Sequence, residues 1–343
     1  MKAILFHQHG DTSVLHYTDV PEPHLRHKEV LVHVRACALN HLDLWVRRGL
    51  PGYQIPFPHI PGSDIAGEVA KIGPEVSTVH IGQKVVLAPC VTCGECPACL
   101  SGNDNRCRDS TILGYMVDGG CVEYVRCPEV NCLPYPENLD WVHAVAVPLV
   151  FQTAWHMLVN RAQLQPGEDV LVIAAGSGVG SAAIQIAKFF GARVIATAGN
   201  DEKLAKAKEI GADEVIHHCI MPIAKEVGRL THNRGVDVVF EHVGAATWNE
   251  SIKSLAAGGR LVTCGCTTGY DAKLDIRFLF TRQLSVLGSY MGTKSELRTV
   301  LKLVEQGRLK PIVDKVWPLH DCIVAHHYLE HGKQFGKVVL TIS

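Results

Sequence analysis

Between Asp169 and Cys264 the chain alternates apolar runs with amphipathic stretches, and that alternation narrows the folds open to it. Asp169–Ala174 (DVLVIA), Arg193–Thr197 (RVIAT), Glu214–Ile216, Asp237–Glu241 (DVVFE) and Arg260–Cys264 (RLVTC) read as strands. Ser181–Phe190, Glu202–Ile210 and Ile223–Leu230 read as the helices between them, the second beginning beside a capping Asp201. Apolar strands that alternate with helices lie in a parallel sheet covered on both faces. The expected fold class is α/β, with a doubly wound parallel sheet over 151–290.

The flanks have another texture. Up to residue 150 the chain is punctuated by Pro21, Pro23, Gly49, Pro51, Gly52, Pro56, Pro58, Pro61 and Gly62. Short β-rich runs lie between such breaks, at Glu29–Val34, Ile65–Ala70 and Gln83–Ala88. This predicts an irregular, mostly antiparallel β domain over 1–150. Residues 144–159 form a mainly apolar helical stretch before the turn Gln165-Pro166-Gly167-Glu168. The tail, 291–343, holds one helix near Ser295–Gln306 and a closing strand Lys337–Leu340, and is expected to fold back onto the first domain.

Lys and Arg total 33 against 34 acidic residues, a formal net charge of −1. That balance argues against nucleic-acid and membrane-surface partners, which call for a basic excess. No stretch approaches the roughly 18 uncharged apolar residues of a membrane span. The start MKAILFHQHGDTSV lacks the profile of an export signal. A reducing, cytoplasmic setting is expected.

The first strand–helix junction of the α/β region reads Ala174-Ala175-Gly176-Ser177-Gly178-Val179-Gly180. Small residues let the backbone turn sharply and approach a pyrophosphate, while the following helix offers its N-terminal amides to the charge. Gly176, Ser177, Gly178, Val179 and Gly180 are therefore candidate dinucleotide contacts. An NAD site usually carries Asp or Glu about 20 residues on, at the end of the second strand. Here that place holds Ala198-Gly199-Asn200, with Lys203 following as a partner for a 2′-phosphate. Gly199, Asn200 and Lys203 thus point to NADP(H) rather than NAD(H).

Thirteen cysteines are too many to ignore, and an odd number cannot all pair. Residues 93–107 (CGECPACLSGNDNRC) give the spacing Cys93-x2-Cys96-x2-Cys99-x7-Cys107. Four thiolates satisfy tetrahedral Zn2+ at about 2.3 Å each and leave no open position, so such a site is structural. An iron–sulfur centre and free loop thiols are the competing readings.

Taken together these motifs resemble the medium-chain dehydrogenase/reductase superfamily along the whole chain. The resemblance implies a β-rich, GroES-like catalytic domain with a zinc lobe at 90–110, a central Rossmann domain, and a returning tail. It also implies a homodimer or homotetramer, with the edge strand near Leu284–Gly288 pairing across subunits. Catalytic alcohol dehydrogenases of that family bind a second zinc through a Cys, a His and a later Cys or acid. This chain has Asn40, Ser63 and Leu149 at those places. Asn40 with Asp43, and Gly62 with Asp64, instead resemble the zinc-independent quinone oxidoreductase and enoyl-reductase branch, whose glycine turn usually has Gly where Ser177 stands.

Without a Lewis acid, conjugate reduction is easier than oxidation of an unactivated alcohol. The expected activity is NADPH-dependent hydride transfer to an activated C=C or a quinone, a small-molecule substrate. Asn40 is assigned to hydrogen bonding with substrate or nicotinamide, Asp43 to fixing its loop, and Trp45 to a wall of the substrate pocket. The resemblance places Thr153 beside the nicotinamide, His41 near the cofactor phosphates, and Gly265 and Lys337 among the cofactor contacts. Two alternatives stay open: a zinc-type alcohol dehydrogenase or carbonyl reductase, and a non-enzymatic NADPH-binding protein.

Overall fold

A computed structural model describes residues 1–52 and 54–343. The chain divides into two compact units, Met1–Leu149 with Thr293–Gly307 and Pro311–Ser343, and Val150–Gly292 with Arg308–Lys310.

In the first unit, β1 (Lys2–Leu5) and β2 (His16–Asp19) form an antiparallel pair. The long strand β3 (Glu29–Leu39) organises the main sheet, with Val30, Val32, Val34, Ala36 and Ala38 buried. It runs antiparallel to β4 (Asp64–Ile72), which pairs with β5 (Lys84–Leu87). Helix α1 (His41–Arg48) follows β3 directly. A two-stranded lobe, β6 (Cys90–Val91) with β7 (Thr111–Ile112), brackets the short α2 (Pro97–Leu100). The early half of β3 also pairs with β8 (Tyr124–Pro128), and β9 (Cys132–Pro134) extends the sheet beyond β5.

Helical residues then run from Trp141 to Arg161: α3 (Trp141–Ala144), α4 (Pro148–Trp155) and a π-helical turn, His156–Arg161. Against the expectation from sequence, this stretch is long and apolar enough to pass as a membrane span, with mean hydropathy 1.4. Ala144, Val147, Phe151, Ala154 and Leu158 are nevertheless buried, as in the core helices of globular folds.

The second unit is a six-stranded, all-parallel sheet. Its strands are β10 (Asp169–Val172), β11 (Arg193–Ala198), β12 (Glu214–His217), β13 (Val236–Glu241), β14 (Leu255–Thr263) and β15 (Ser285–Gly288), in the order β12-β11-β10-β13-β14-β15. This is the doubly wound arrangement, with the order reversing at β10. Helices α5 (Gly178–Phe189), α6 (Asp201–Glu209), α7 (Ile223–Leu230), α8 (Trp248–Ser254) and α9 (Ile276–Thr281) connect the strands. Ile223 and Val227, one turn apart on α7, pack into a core with Leu171, Ile195, Val239 and Leu261. Strand β14 starts earlier than its apolar run suggests, because Leu255 pairs with Val236 across an irregular stretch containing Gly258 at φ 76°.

The chain then returns to the first unit with α10 (Lys294–Glu305), β16 (Val313–Pro318), α11 (Cys322–Glu330) and β17 (Lys337–Thr341). Strand β17 runs antiparallel to the later half of β3 and parallel to β16, so the C-terminal strand sits beside the residues leading into α1.

Candidate functional site

In the second unit, every glycine-turn position lies where a parallel strand ends. After β10 the chain turns through Ala174 at φ 54° into Ser177, the N-cap of α5. Ser177 Oγ accepts from the Gly180 amide and donates to the Ala174 carbonyl, both at 2.9 Å. A Cβ on Gly180 would meet Ala174 O at 2.5 Å, so only glycine fits there. The serine is consumed in building the turn, and α5 presents its N-terminal dipole at the rim. His242 Nε2, 2.9 Å from Ile173 O and 3.2 Å from Ser177 Oγ, braces the same turn from the end of β13, and burial keeps this imidazole's pKa below its ordinary value.

After β11, Gly199 leads into Asn200, whose Oδ1 accepts from the Lys203 amide at 2.9 Å. Asn200 is thus the cap of α6, and Asp201 its first residue. This corrects the expected cap, and follows because only the residue before the first helical turn can reach that amide. β11 ends at Ala198, and the first carboxylate after it is that of Asp201, in the first turn of α6. A Cβ on Gly199 would stand 3.3 Å from His218 Nε2, and burial, His217 and Lys203 lower the His218 pKa. Gly265, after β14, leaves room for a Cβ only 3.0 Å from His242 O.

Glu241 ends β13 fully buried. Its Oε1 accepts from the amides of His242, Val243 and Gly244 at 2.9, 2.6 and 3.1 Å, and its Oε2 from the hydroxyls of Thr247 and Ser251 at 2.9 and 2.6 Å. Sequence reasoning missed Glu241, His242 and His218; the one available signal was polar residues standing at the C-terminal ends of apolar strands. Thr153, on α4, is 5% exposed, and its hydroxyl has no hydrogen-bond partner among the described residues.

In the first unit the structure gathers Asn40, Asp43, Asp64 and Lys337. Asn40 precedes α1, and Asp43 Oδ2 accepts from its amide at 2.7 Å while Oδ1 accepts from the Gly62 amide at 2.9 Å. Burial pushes the Asp43 carboxyl up to about 6. Asp43 thus bridges the Asn40 and Gly62 amides. Asn40 itself turns inward: Nδ2 donates to Asp64 Oδ2 at 2.9 Å, and Oδ1 accepts from Lys337 Nζ at 2.6 Å. These hydrogen bonds hold the Asn40 carboxamide between Asp64 and Lys337. The Lys337 ammonium, 3% exposed, also meets Asp64 Oδ2 at 2.8 Å. Asp64 Oδ1 accepts from the Leu149 amide at 2.7 Å. His41 and Trp45 lie outside this network, half-buried on α1 with ring centroids 5.1 Å apart.

Of the three places that the resemblance links to a catalytic metal, Asn40 is hydrogen-bonded internally, Ser63 is buried with a hydroxyl unpartnered among the described residues, and Leu149 has no donor atom in its side chain. That donor set does not fit a zinc ion. The cysteine lobe does. The sulfurs of Cys93, Cys96, Cys99 and Cys107 lie within 4.8 Å of one another, with Cys93 3.9 Å from Cys99 and 3.5 Å from Cys107. Backbone N–H groups of Glu95 and Cys96 pull the Cys93 thiol down to about 7. Lys294 of α10 ties the lobe down through Asp104 Oδ2 at 3.1 Å and Thr92 Oγ1 at 2.8 Å.

The fold and these sites define a nicotinamide-dependent oxidoreductase. Residues 26–137 match the alcohol dehydrogenase GroES-like domain and residues 178–306 the zinc-binding dehydrogenase domain. The chain is 33% identical to an NAD-dependent alcohol dehydrogenase of Sulfolobus acidocaldarius, covering 100% of both chains. It is 28% identical to a quinone oxidoreductase of Rattus norvegicus, covering 100% of this chain and 98% of that one. A crystal structure of an NAD-dependent alcohol dehydrogenase aligns with TM-score 0.97 and 47% identity over 100% of each chain. The protein belongs to the medium-chain dehydrogenase/reductase superfamily.

Proposed function

We propose that the protein is an NADPH-dependent reductase of an activated C=C bond or a quinone, working without a catalytic zinc. The observation that carries this reading is the replacement of all three metal-binding positions by Asn40, Ser63 and Leu149, with Asn40 spent on Asp64 and Lys337. A nicotinamide bound here would supply hydride to an electron-poor carbon, chemistry that needs no lowered alcohol pKa. Ser63 Oγ, buried and unpartnered among the described residues, is the donor in the first unit for a developing substrate oxyanion. Thr153 Oγ1 plays the corresponding part toward the nicotinamide in the second unit, and solvent returns the proton. His41 and Trp45 flank the substrate.

NADPH is preferred in this reading because the end of β11 has no acid to receive a ribose hydroxyl, while Lys203 and His218 supply donors for a 2′-phosphate. We further propose that exposed Val286 on the edge strand β15, with Phe280 and Tyr290 nearby in sequence, forms the contact of a homodimer or homotetramer. A reducing compartment, the cytoplasm, suits thirteen free cysteines.

The second reading, a zinc-type alcohol dehydrogenase, is favoured by the alcohol dehydrogenases among the relatives. Metal content and a substrate panel separate the two. One zinc per chain, with NADPH oxidised by enones or quinones, supports the proposal. Two zincs per chain with alcohol oxidation by NAD overturn it.

A further inference from the structure

In the first unit one ammonium grips both ends of the cysteine loop. Lys294, the first residue of α10, donates through Nζ to Thr92 Oγ1 at 2.8 Å and to Asp104 Oδ2 at 3.1 Å. Its amide donates to Asp104 Oδ1 at 3.2 Å, so two donors of one residue hold both oxygens of that carboxylate. Thr92 stands immediately before Cys93, the first of the four cysteines. Asp104 opens the 3-10 turn that ends at Cys107, the last of them, and its carbonyl accepts from the Cys107 amide at 3.0 Å. Fixing Thr92 and Asp104 therefore fixes where the first and last thiols can stand.

The strand ladder at the base of the loop is short. There β6 and β7 pair at two positions, Cys90 with Ile112 and Val91 with Thr111. A metal that enters must order residues 92–110, so each contact that orders them beforehand raises its affinity. Helix α10 is a firm platform for such a contact, since Leu297, Val300, Leu301 and Val304 are buried. Thr293 and Glu296 satisfy each other's amides in a capping box, at 2.7 and 3.1 Å, which leaves the Lys294 amide for Asp104. A carboxylate there also suits the positive end of the helix. The Lys294 and Asp104 side chains are 14% and 15% exposed, so solvent weakens their contact little.

We propose that Lys294 is a positioning residue for the zinc lobe, and that its grip on Thr92 and Asp104 sets how tightly the four thiolates hold Zn2+. The inference rests on the reading of Cys93, Cys96, Cys99 and Cys107 as a zinc site. Residues that touch no metal but orient those that do are worth about 10–100-fold in metal affinity. Without the ammonium, Thr92 is no longer tied to Asp104, and the Asp104 carboxylate loses the charge that balances it. Closure of the loop then falls to the metal and the two-pair ladder.

The test follows zinc as it leaves the full-length, zinc-loaded protein for an excess of the chromophoric chelator pyridylazoresorcinol, well below every Tm. Plasma mass spectrometry gives the metal content beforehand. Cys93 is exposed and Cys96 and Cys99 are half-buried, so the chelator reaches the metal and its capture rate reads how firmly the ligands are held. Lys294→Met is expected to release zinc about tenfold faster or more, and Asp104→Asn to do likewise. Because both substitutions break one grip, the double variant should be at most about twofold faster than the faster single one. Thr92→Val removes one hydroxyl and keeps the shape of the side chain; it should speed release about threefold, and it decides the matter if Lys294→Met does not fold. Lys302→Met, at an exposed lysine further along α10, should match the wild type.

A lysine that only stabilises α10 would lower the Tm and leave the release rate unchanged. That result, or effects that multiply in the double variant, overturns the proposal while one zinc per chain upholds the metal site. Wild-type protein that neither contains nor takes up zinc overturns the metal site and the proposal together.

Discussion

Asp64 Oδ2 and Lys337 Nζ, 273 residues apart in sequence, meet at 2.8 Å with side chains 0% and 3% exposed. A pair sealed this far from water persists only because each charge has further partners: Asn40 Oδ1 for the ammonium, the Leu149 amide and Asn40 Nδ2 for the carboxylate. It links the last strand of the chain to the loop entering α1.

Removing one partner leaves the other charge buried and alone. Lys337→Met is expected to cost about 3–5 kcal/mol of stability, more than the double variant Asp64→Asn/Lys337→Met. Urea denaturation of the wild type and both variants checks this; a single variant as stable as the double one would contradict it.

The α5 turn has no room for a methyl group at Gly180, where a Cβ would approach Ala174 O to 2.5 Å. Gly180→Ala should weaken NADPH binding about tenfold, or about 1.4 kcal/mol, by opening the turn. Titration calorimetry gives the Kd directly, and circular dichroism verifies that the sheet is intact.

Four sulfurs within 4.8 Å predict one zinc per chain. Cys107→Ser should bring the metal content measured by plasma mass spectrometry close to zero and lower the Tm by several degrees. In that variant protease cleavage should appear first within 93–107, since the Lys294–Asp104 contact alone then ties the lobe down.

Asp43 makes stability depend on pH in an unusual sense. Its folded pKa, about 6, lies above the ordinary 3.8 because burial opposes the charge, so the folded chain holds the proton more tightly. The stabilisation is complete below about pH 4 and is lost as pH rises through about 6, reaching about 3 kcal/mol at most. The difference in unfolding free energy between wild type and Asp43→Asn should shrink with rising pH across that window. The substitution also replaces one carboxylate oxygen by an amide donor facing the Asn40 and Gly62 N–H groups, so the variant is less stable throughout.

Much of this architecture is legible in the sequence, because period and composition are local. The β11, β12 and β13 runs fall within one residue of the observed strands and the α7 bounds coincide, while β10 ends at Val172, two residues before its apolar run does. What escaped is long-range. Lys337 carries no mark of its partnership with Asn40, and nothing near His326 shows that Arg47 would donate to its Nδ1. The Asn200 cap escaped for a local reason, since Asn and Asp cap equally well and their order alone had to decide. Ser177 read only as one of the candidate dinucleotide contacts, and the geometry adds a hydroxyl that holds the turn.

Glu241 has one more effect. By taking up the amides of residues 242–244, it withdraws the β13 rim from competition for any incoming anion. In the proposed reading a diphosphate approaching this edge finds the β13 amides already taken and is left the N-terminus of α5, so one glutamate next door narrows where the cofactor can land.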